Sequence, residues 1–161
     1  MRPSLRLLVS HPAHFISLGL GSGLAPKAPG TFGSLAAWAL FALLPVTTPV
    51  SFLVGGIVLS FALGCWLIPV TSRALGQADP GSIVWDEFVA VWLVLAFTPW
   101  TFAWQAFAVI TFRVFDIAKP WPIRWADGRF KNGFGVMFDD LLAAGYTLIC
   151  VALALYLVPM A

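Results

Sequence analysis

Charged side chains are scarce in this chain: nine Lys plus Arg and seven Asp plus Glu make up 10% of its 161 residues, against about 25% in ordinary globular proteins. That is too little ionic surface to cover a water-facing domain. The same scarcity excludes a disordered chain, which needs high net charge and low hydrophobicity. The formal net charge of +2 is too small to imply a nucleic-acid partner. Two cysteines, Cys65 and Cys150, without CxxC spacing exclude a disulfide scaffold; each reads as a small buried apolar residue, reduced and inert. His11 and His14 have no carboxylate nearby in sequence, which favours a solvent or interfacial role over a ligand pair. What fills the chain is apolar: 60% hydrophobic residues and a mean hydropathy of +0.92, the composition of a membrane protein.

A helix crossing about 30 Å of hydrocarbon needs about 20 mostly apolar residues. Apolar stretches occupy residues 33–49, 50–70, 84–98, 100–115 and 136–158. Only the second and last have comfortable length, and Pro45 and Pro99 interrupt apolar sequence, so the others are expected to be short, tilted or kinked. All sixteen charged residues fall within residues 2–27, 73–87 and 113–140. Residues 46–51, the surroundings of Pro99 and the chain after Val158 carry none. Five crossings then put every charged region on one side, which the positive-inside rule makes cytoplasmic. The expectation is an all-α polytopic membrane bundle of about five helices, N-in and C-out, in one domain over residues 1–161.

The alternative joins the third and fourth stretches into one Pro-kinked helix of about 45 Å, with Asp86 and Asp116 on opposite sides. A hairpin is preferred because it keeps ionisable groups out of lipid. No cleavable signal peptide is expected, since His11, Pro12 and His14 break the short apolar run after Arg2 and Arg6. Gly56, Ser60 and Gly64 at four-residue spacing allow close helix approach. Trp85, Trp100, Trp121 and Trp125 stand near span boundaries, where amphipathic rings are favoured.

The carboxylates carry the chemical signal. Asp86, Glu87, Asp116, Asp127, Asp139 and Asp140 lie where apolar spans meet the charged side, or in the loop between two of them. Asp139 and Asp140 are flanked by Val136-Met137-Phe138 and Leu141-Leu142; such a like-charge pair is costly unless something positive sits beside it. A divalent cation is the economical answer, and Mg²⁺ prefers hard oxygen ligands completed by water and substrate phosphate. Adjacent helical residues diverge by about 100°, so one of the pair is expected to ligate and the other to orient a water or a basic partner. Asp86 and Glu87 raise the same point at the start of the third span, with Ser82 as a candidate N-cap.

Arg113, Asp116 and Lys119, spaced by three, share a helix face that Pro120 should end at Lys119. Their cations suit phosphoryl oxygens, a planar fork and a point charge. The Gly- and Pro-rich segment 19–34 holds Lys27 and ends in Thr31 and Ser34. Backbone N–H groups of such turns and of helix N-termini bind anions, although Lys27 is followed by Ala28 and so forms no Walker loop.

These stretches together resemble the phosphatidylglycerophosphatase A family of bacterial inner-membrane enzymes, over roughly residues 15–150. The carriers are Pro26-Lys27-Ala28-Pro29-Gly30-Thr31-Phe32-Gly33-Ser34, Asp86-Glu87, Phe112-Arg113-Val114-Phe115-Asp116-Ile117-Ala118-Lys119-Pro120-Trp121-Pro122 and Gly135-Val136-Met137-Phe138-Asp139-Asp140. One departure is Phe88-Val89-Ala90, where the family often has glycine.

The resemblance implies Mg²⁺-dependent hydrolysis of phosphatidylglycerophosphate, a membrane phospholipid, to phosphatidylglycerol and phosphate on the cytoplasmic side. Asp86, Glu87, Asp116, Asp139 and Asp140 are then the catalytic and metal-site candidates. Lys27, Thr31, Ser34, Arg113 and Lys119 are the phosphate-binding candidates. An activated water is the preferred nucleophile, with carboxylate attack open.

Other phosphatase signatures, Asp-x-Asp and Cys-x5-Arg, are missing. The CDP-alcohol transferase pattern suggested by Asp127-Gly128 fails at Ala143, where a further Asp is required. The rival reading is a small cation carrier or channel, or a non-catalytic membrane subunit, whose site would lie near the bilayer midplane.

Overall fold

The structure is a computed structural model and describes residues 3–130 and 132–157. Arg2 and the segment from Val158 onward, which bound two of the regions used above, lie outside the described residues. Regular structure among the described residues is entirely helical: α1 Leu5–Ser10, α2 Pro12–Ser17, a 3-10 segment Gly19–Leu24, α3 Pro29–Phe41, α4 Val50–Leu75, α5 Trp85–Ala96, α6 Phe102–Ala118, α7 Ile123–Arg129 and α8 Gly133–Leu157.

Local chemistry explains several ends. Ser4 and Thr101 accept from backbone N–H groups in the first turns of α1 and α6, and His11 Nδ1 does so for Ala13 in α2, ahead of Pro12 at N1. Gly76 closes α4 in the left-handed region at φ 70°. Lys119 closes α6 at φ 42°, ahead of Pro120, which cannot continue the helix.

With 26 and 25 residues, α4 and α8 are long and apolar enough to cross a membrane, reaching about 39 and 38 Å. The helices α3, α5 and α6 have 13, 12 and 17 residues, or about 20, 18 and 26 Å. At the centre is α5, packed against α3, α4, α6 and α8. Nine of its twelve residues are buried, which accounts for its apolar character on all sides: it is wrapped by helices. Phe88, in the stretch where the family often has glycine, is buried and packs on Trp85 and Trp92.

The outer surface is apolar. Phe52, Val58, Leu59 and Trp66 on α4, Ile110, Val114 and Ile117 on α6, and Ile149 and Leu153 on α8 are exposed, while Glu87, Asp139 and Asp140 are buried. Apolar side chains outside and carboxylates inside invert the soluble arrangement and suit a hydrocarbon surround.

The third and fourth apolar stretches form the preferred hairpin and not one fused helix: the helix breaks after Ala96, and Arg113 near the end of α6 reaches Glu87 near the start of α5 at 3.4 Å, so the two run antiparallel. Other expectations are corrected. Ser82 does not cap α5. The cap is Val84, without a side-chain bond; its own N–H donates to Ser17 O at 3.0 Å, so a tertiary contact sets the start.

Trp85 is buried rather than interfacial, its indole donating to Ser60 O at 3.1 Å. Of the small-residue stripe, a Cβ at Gly64 would strike Met137 and Trp85, whereas one at Gly56 would meet open space. His14 is buried, with Nδ1 3.0 Å from the Thr71 hydroxyl, and only His11 is exposed. Cys65 and Cys150 are free and half-buried.

Candidate functional site

Four helix ends build the site. Asp86 and Glu87 occupy the first turn of α5. Arg113 and Asp116 stand in the last turns of α6, and Lys119 caps it. Asp139 and Asp140 sit in the second turn of α8, and the first turn of α3 contributes Gly30 and Thr31.

Carboxylate oxygens of Asp86, Glu87 and Asp140 lie within 4.8 Å of one another. Asp86 Oδ1, Glu87 Oε2 and Asp140 Oδ2 are buried and have no hydrogen-bond partner among the described residues. Like charges this close in a water-poor interior repel strongly, and three orphaned acceptors leave their desolvation uncompensated. Three carboxylates so placed could together hold a divalent cation, for which hard oxygen donors are suited.

Cations flank the cluster. Arg113 Nη1 pairs with Asp116 Oδ2 and, at 3.4 Å, with Glu87 Oε1. Lys119 Nζ donates to Asp139 Oδ2 at 2.7 Å and pairs with Asp127 at 3.1 Å. Burial alone would lower the Lys119 pKa; the hydrogen bonds and charges of Asp139 and then Asp127 overcome it and raise the pKa above the ordinary lysine value. Lys119 therefore keeps its positive charge across the neutral range.

The adjacent acids of α8 thus have different partners. Asp140 turns to Asp86 and Glu87, and Asp139 turns to Lys119. The spacing of three does not hold Lys119 on the face of Arg113 and Asp116, because its left-handed backbone ends the helix there.

Gly30 explains the close approach of α3. A Cβ there would strike Glu87 Oε1 and come within 2.9 Å of an Arg113 nitrogen, so the backbone of α3 stands directly against the Glu87–Arg113 pair. Ser34 Oγ donates to Gly30 O at 3.0 Å, which commits its hydroxyl to holding that turn. Thr31 is half-buried beside it, and Lys27 is exposed in the preceding turn, where no ion pair joins it to the carboxylates among the described residues.

Sequence reasoning gives Gly30 and Asp127 no role of their own. The local signal for Gly30 is its place directly after Pro29 in a first helical turn, where the lack of a side chain leaves room for a close neighbour. Asp127 pairs with Lys119 across a turn whose geometry no spacing rule supplies.

The family model for phosphatidylglycerophosphatase A matches residues 15–155. A phosphatidylglycerophosphatase A of Haemophilus influenzae is 46% identical over 152 residues, covering 92% of both chains. That of Escherichia coli is 43% identical over 142 residues, covering 86% of this chain and 80% of its own. A Bacteroides thetaiotaomicron protein provisionally named a phosphatidylinositol-3-phosphatase is 39% identical over 150 residues, covering 89% of this chain and 93% of its own. No solved structure matches the chain.

Proposed function

The chain belongs to the phosphatidylglycerophosphatase A family, and from that premise we propose that it is a Mg²⁺-dependent lipid phosphatase. It hydrolyses phosphatidylglycerophosphate to phosphatidylglycerol and inorganic phosphate at the cytoplasmic face of a bacterial inner membrane. The observation that carries the reading is the convergence of Asp86, Glu87 and Asp140 within 4.8 Å, with three buried oxygens unpartnered among the described residues and Arg113 alongside.

Asp86, Glu87 and Asp140 would hold the metal, with Asp116 and Asp139 adjoining. Bound there, Mg²⁺ supplies Lewis-acid polarisation of the phosphoryl oxygens and activation of water. Arg113 offers a planar fork of donors to a phosphomonoester dianion. Lys119, held charged by Asp139 and Asp127, adds a second positive group as charge shifts onto the leaving oxygen. Thr31 and Lys27 line the approach of the phosphate, and Ser34 steadies the turn through Gly30.

Five crossings by α3, α4, α5, α6 and α8, N-in and C-out, bring the charged helix ends to one membrane face. That position disfavours a cation carrier, whose site belongs near the midplane.

The test is phosphate release from phosphatidylglycerophosphate by the purified protein with Mg²⁺. Asp86→Asn combined with Asp139→Asn is expected to lower kcat by at least about 10²–10³-fold, the size of one lost electrostatic stabiliser. Activity that survives both changes overturns the assignment. Phosphatidylinositol 3-phosphate is the comparison substrate, and a preference for it reassigns the substrate. Water is the proposed nucleophile; labelled phosphate trapped on the protein would replace it with a carboxylate.

A further inference from the structure

A groove between α3 and α6 opens beside the phosphate site. Its volume is about 490 Å³, within the range of about 300–1,000 Å³ usual for small-molecule sites. Leu35 lines it from α3, and Ile110, Val114 and Ile117 line it from α6; all four side chains are exposed. Residues 110, 114 and 117 follow one face of α6 for about 10 Å, toward the helix end that Lys119 caps. The lining also includes Thr31 and Arg113. Arg113 is the residue paired with Glu87 and Asp116, and its Nε is buried without a hydrogen-bond partner among the described residues.

We infer that this groove seats an acyl chain of the lipid substrate, and that α3 and α6 form the lateral entrance by which a lipid phosphomonoester reaches the carboxylates. The inference rests on the lipid-phosphatase reading above. The occupant follows from charge and continuity: one molecule must satisfy an apolar channel and, joined to it, an arginine with an idle donor beside an acidic cluster. An amphiphile with an anionic head does so, with its tail along α6 and its phosphate at Arg113.

Lipid tails are as apolar as leucine, so filling the groove from the bilayer supplies little hydrophobic driving force. Its contribution is orientation. A held tail fixes the phosphorus relative to Arg113, and small misplacements of a reacting group cost much in rate.

Bulk added at exposed groove positions blocks the channel without entering the core. Ile110→Trp and Val114→Trp are compared with Leu59→Trp on the exposed face of α4. Each is assayed on a long-chain and on a short-chain, water-soluble phosphatidylglycerophosphate.

The groove variants should lose about 10- to 100-fold in kcat/KM on the long-chain lipid and stay close to wild type on the soluble one, with Leu59→Trp close to wild type on both. Equal losses on both substrates, or none, overturn the groove. Wild-type protein that releases phosphate from neither instead defeats the lipid-phosphatase reading and the groove with it. Independently of any variant, a diazirine-tailed substrate analogue should crosslink wild-type protein within residues 110–117. Labelling confined to α4 and α8 overturns the proposal.

Discussion

Asp139 and Asp140 are adjacent in sequence and have different electrostatic surroundings. One is joined to Lys119, while the other faces Asp86 and Glu87 with an oxygen left unpartnered among the described residues. Without a cation, the repulsion at Asp140 is stored in the folded state, as strained sites often are in enzymes. Asp140→Asn should therefore stabilise the chelator-treated protein by on the order of 0.5–2 kcal/mol while abolishing phosphatase activity and any rise in melting temperature on adding Mg²⁺. Thermal unfolding in chelator and in Mg²⁺ checks both halves; a variant less stable than wild type without metal would remove the argument from repulsion. The divergence of these neighbours is readable from helix geometry alone. Their partners are not, because Lys119 and Asp86 come from other helices.

Among the elements, the pairing of α2 with α4 rests on a buried polar contact, His14 to Thr71, with Thr71 also donating to Ala13 O at 3.3 Å. Burial, and then the charge of His11, lower the His14 pKa from its ordinary 6.5. The unfolded chain therefore takes up this proton at a higher pH than the folded chain does. The contribution of His14 is complete above about pH 6.5 and is lost as pH falls through the lower folded-state value. The melting temperature of wild-type protein should decline below that point, and His14→Gln, which keeps a hydrogen-bonding group, should flatten the decline. Equal slopes for the two proteins would show that His14 is not the group responsible. From sequence His14 reads as a solvent-facing or interfacial residue, because the 57 residues separating it from Thr71 hide the contact that buries it.

For the whole molecule, the distribution of charge sets the orientation proposed in the membrane. With Cys65 and Cys150 replaced by alanine, Gln77→Cys should react with an impermeant thiol reagent only from the cytoplasmic side. Thr47→Cys and Thr101→Cys should react only from the opposite side. All three positions are exposed, so lack of labelling cannot be ascribed to burial. Labelling of Gln77→Cys and Thr47→Cys from the same side would break the five-crossing arrangement. The shortest of the five, α5, fits this scheme because it is enclosed by α3, α4, α6 and α8 and needs no lipid-facing length of its own.

The amino-acid sequence by itself determined the all-helical class, the apolar character and the family, because hydropathy, charge placement and four ordered motifs are properties of the chain read in one dimension. It also indicated where α6 ends, since proline acts on its immediate neighbour. Only the tertiary structure decided which acid meets which base, that Gly30 lets α3 approach Glu87 and Arg113, that Trp85 and His14 are buried, and that α5 lies at the centre. Those facts depend on distances between residues far apart along the chain. Such distances are set by how helices of unequal length pack, and no local periodicity encodes them.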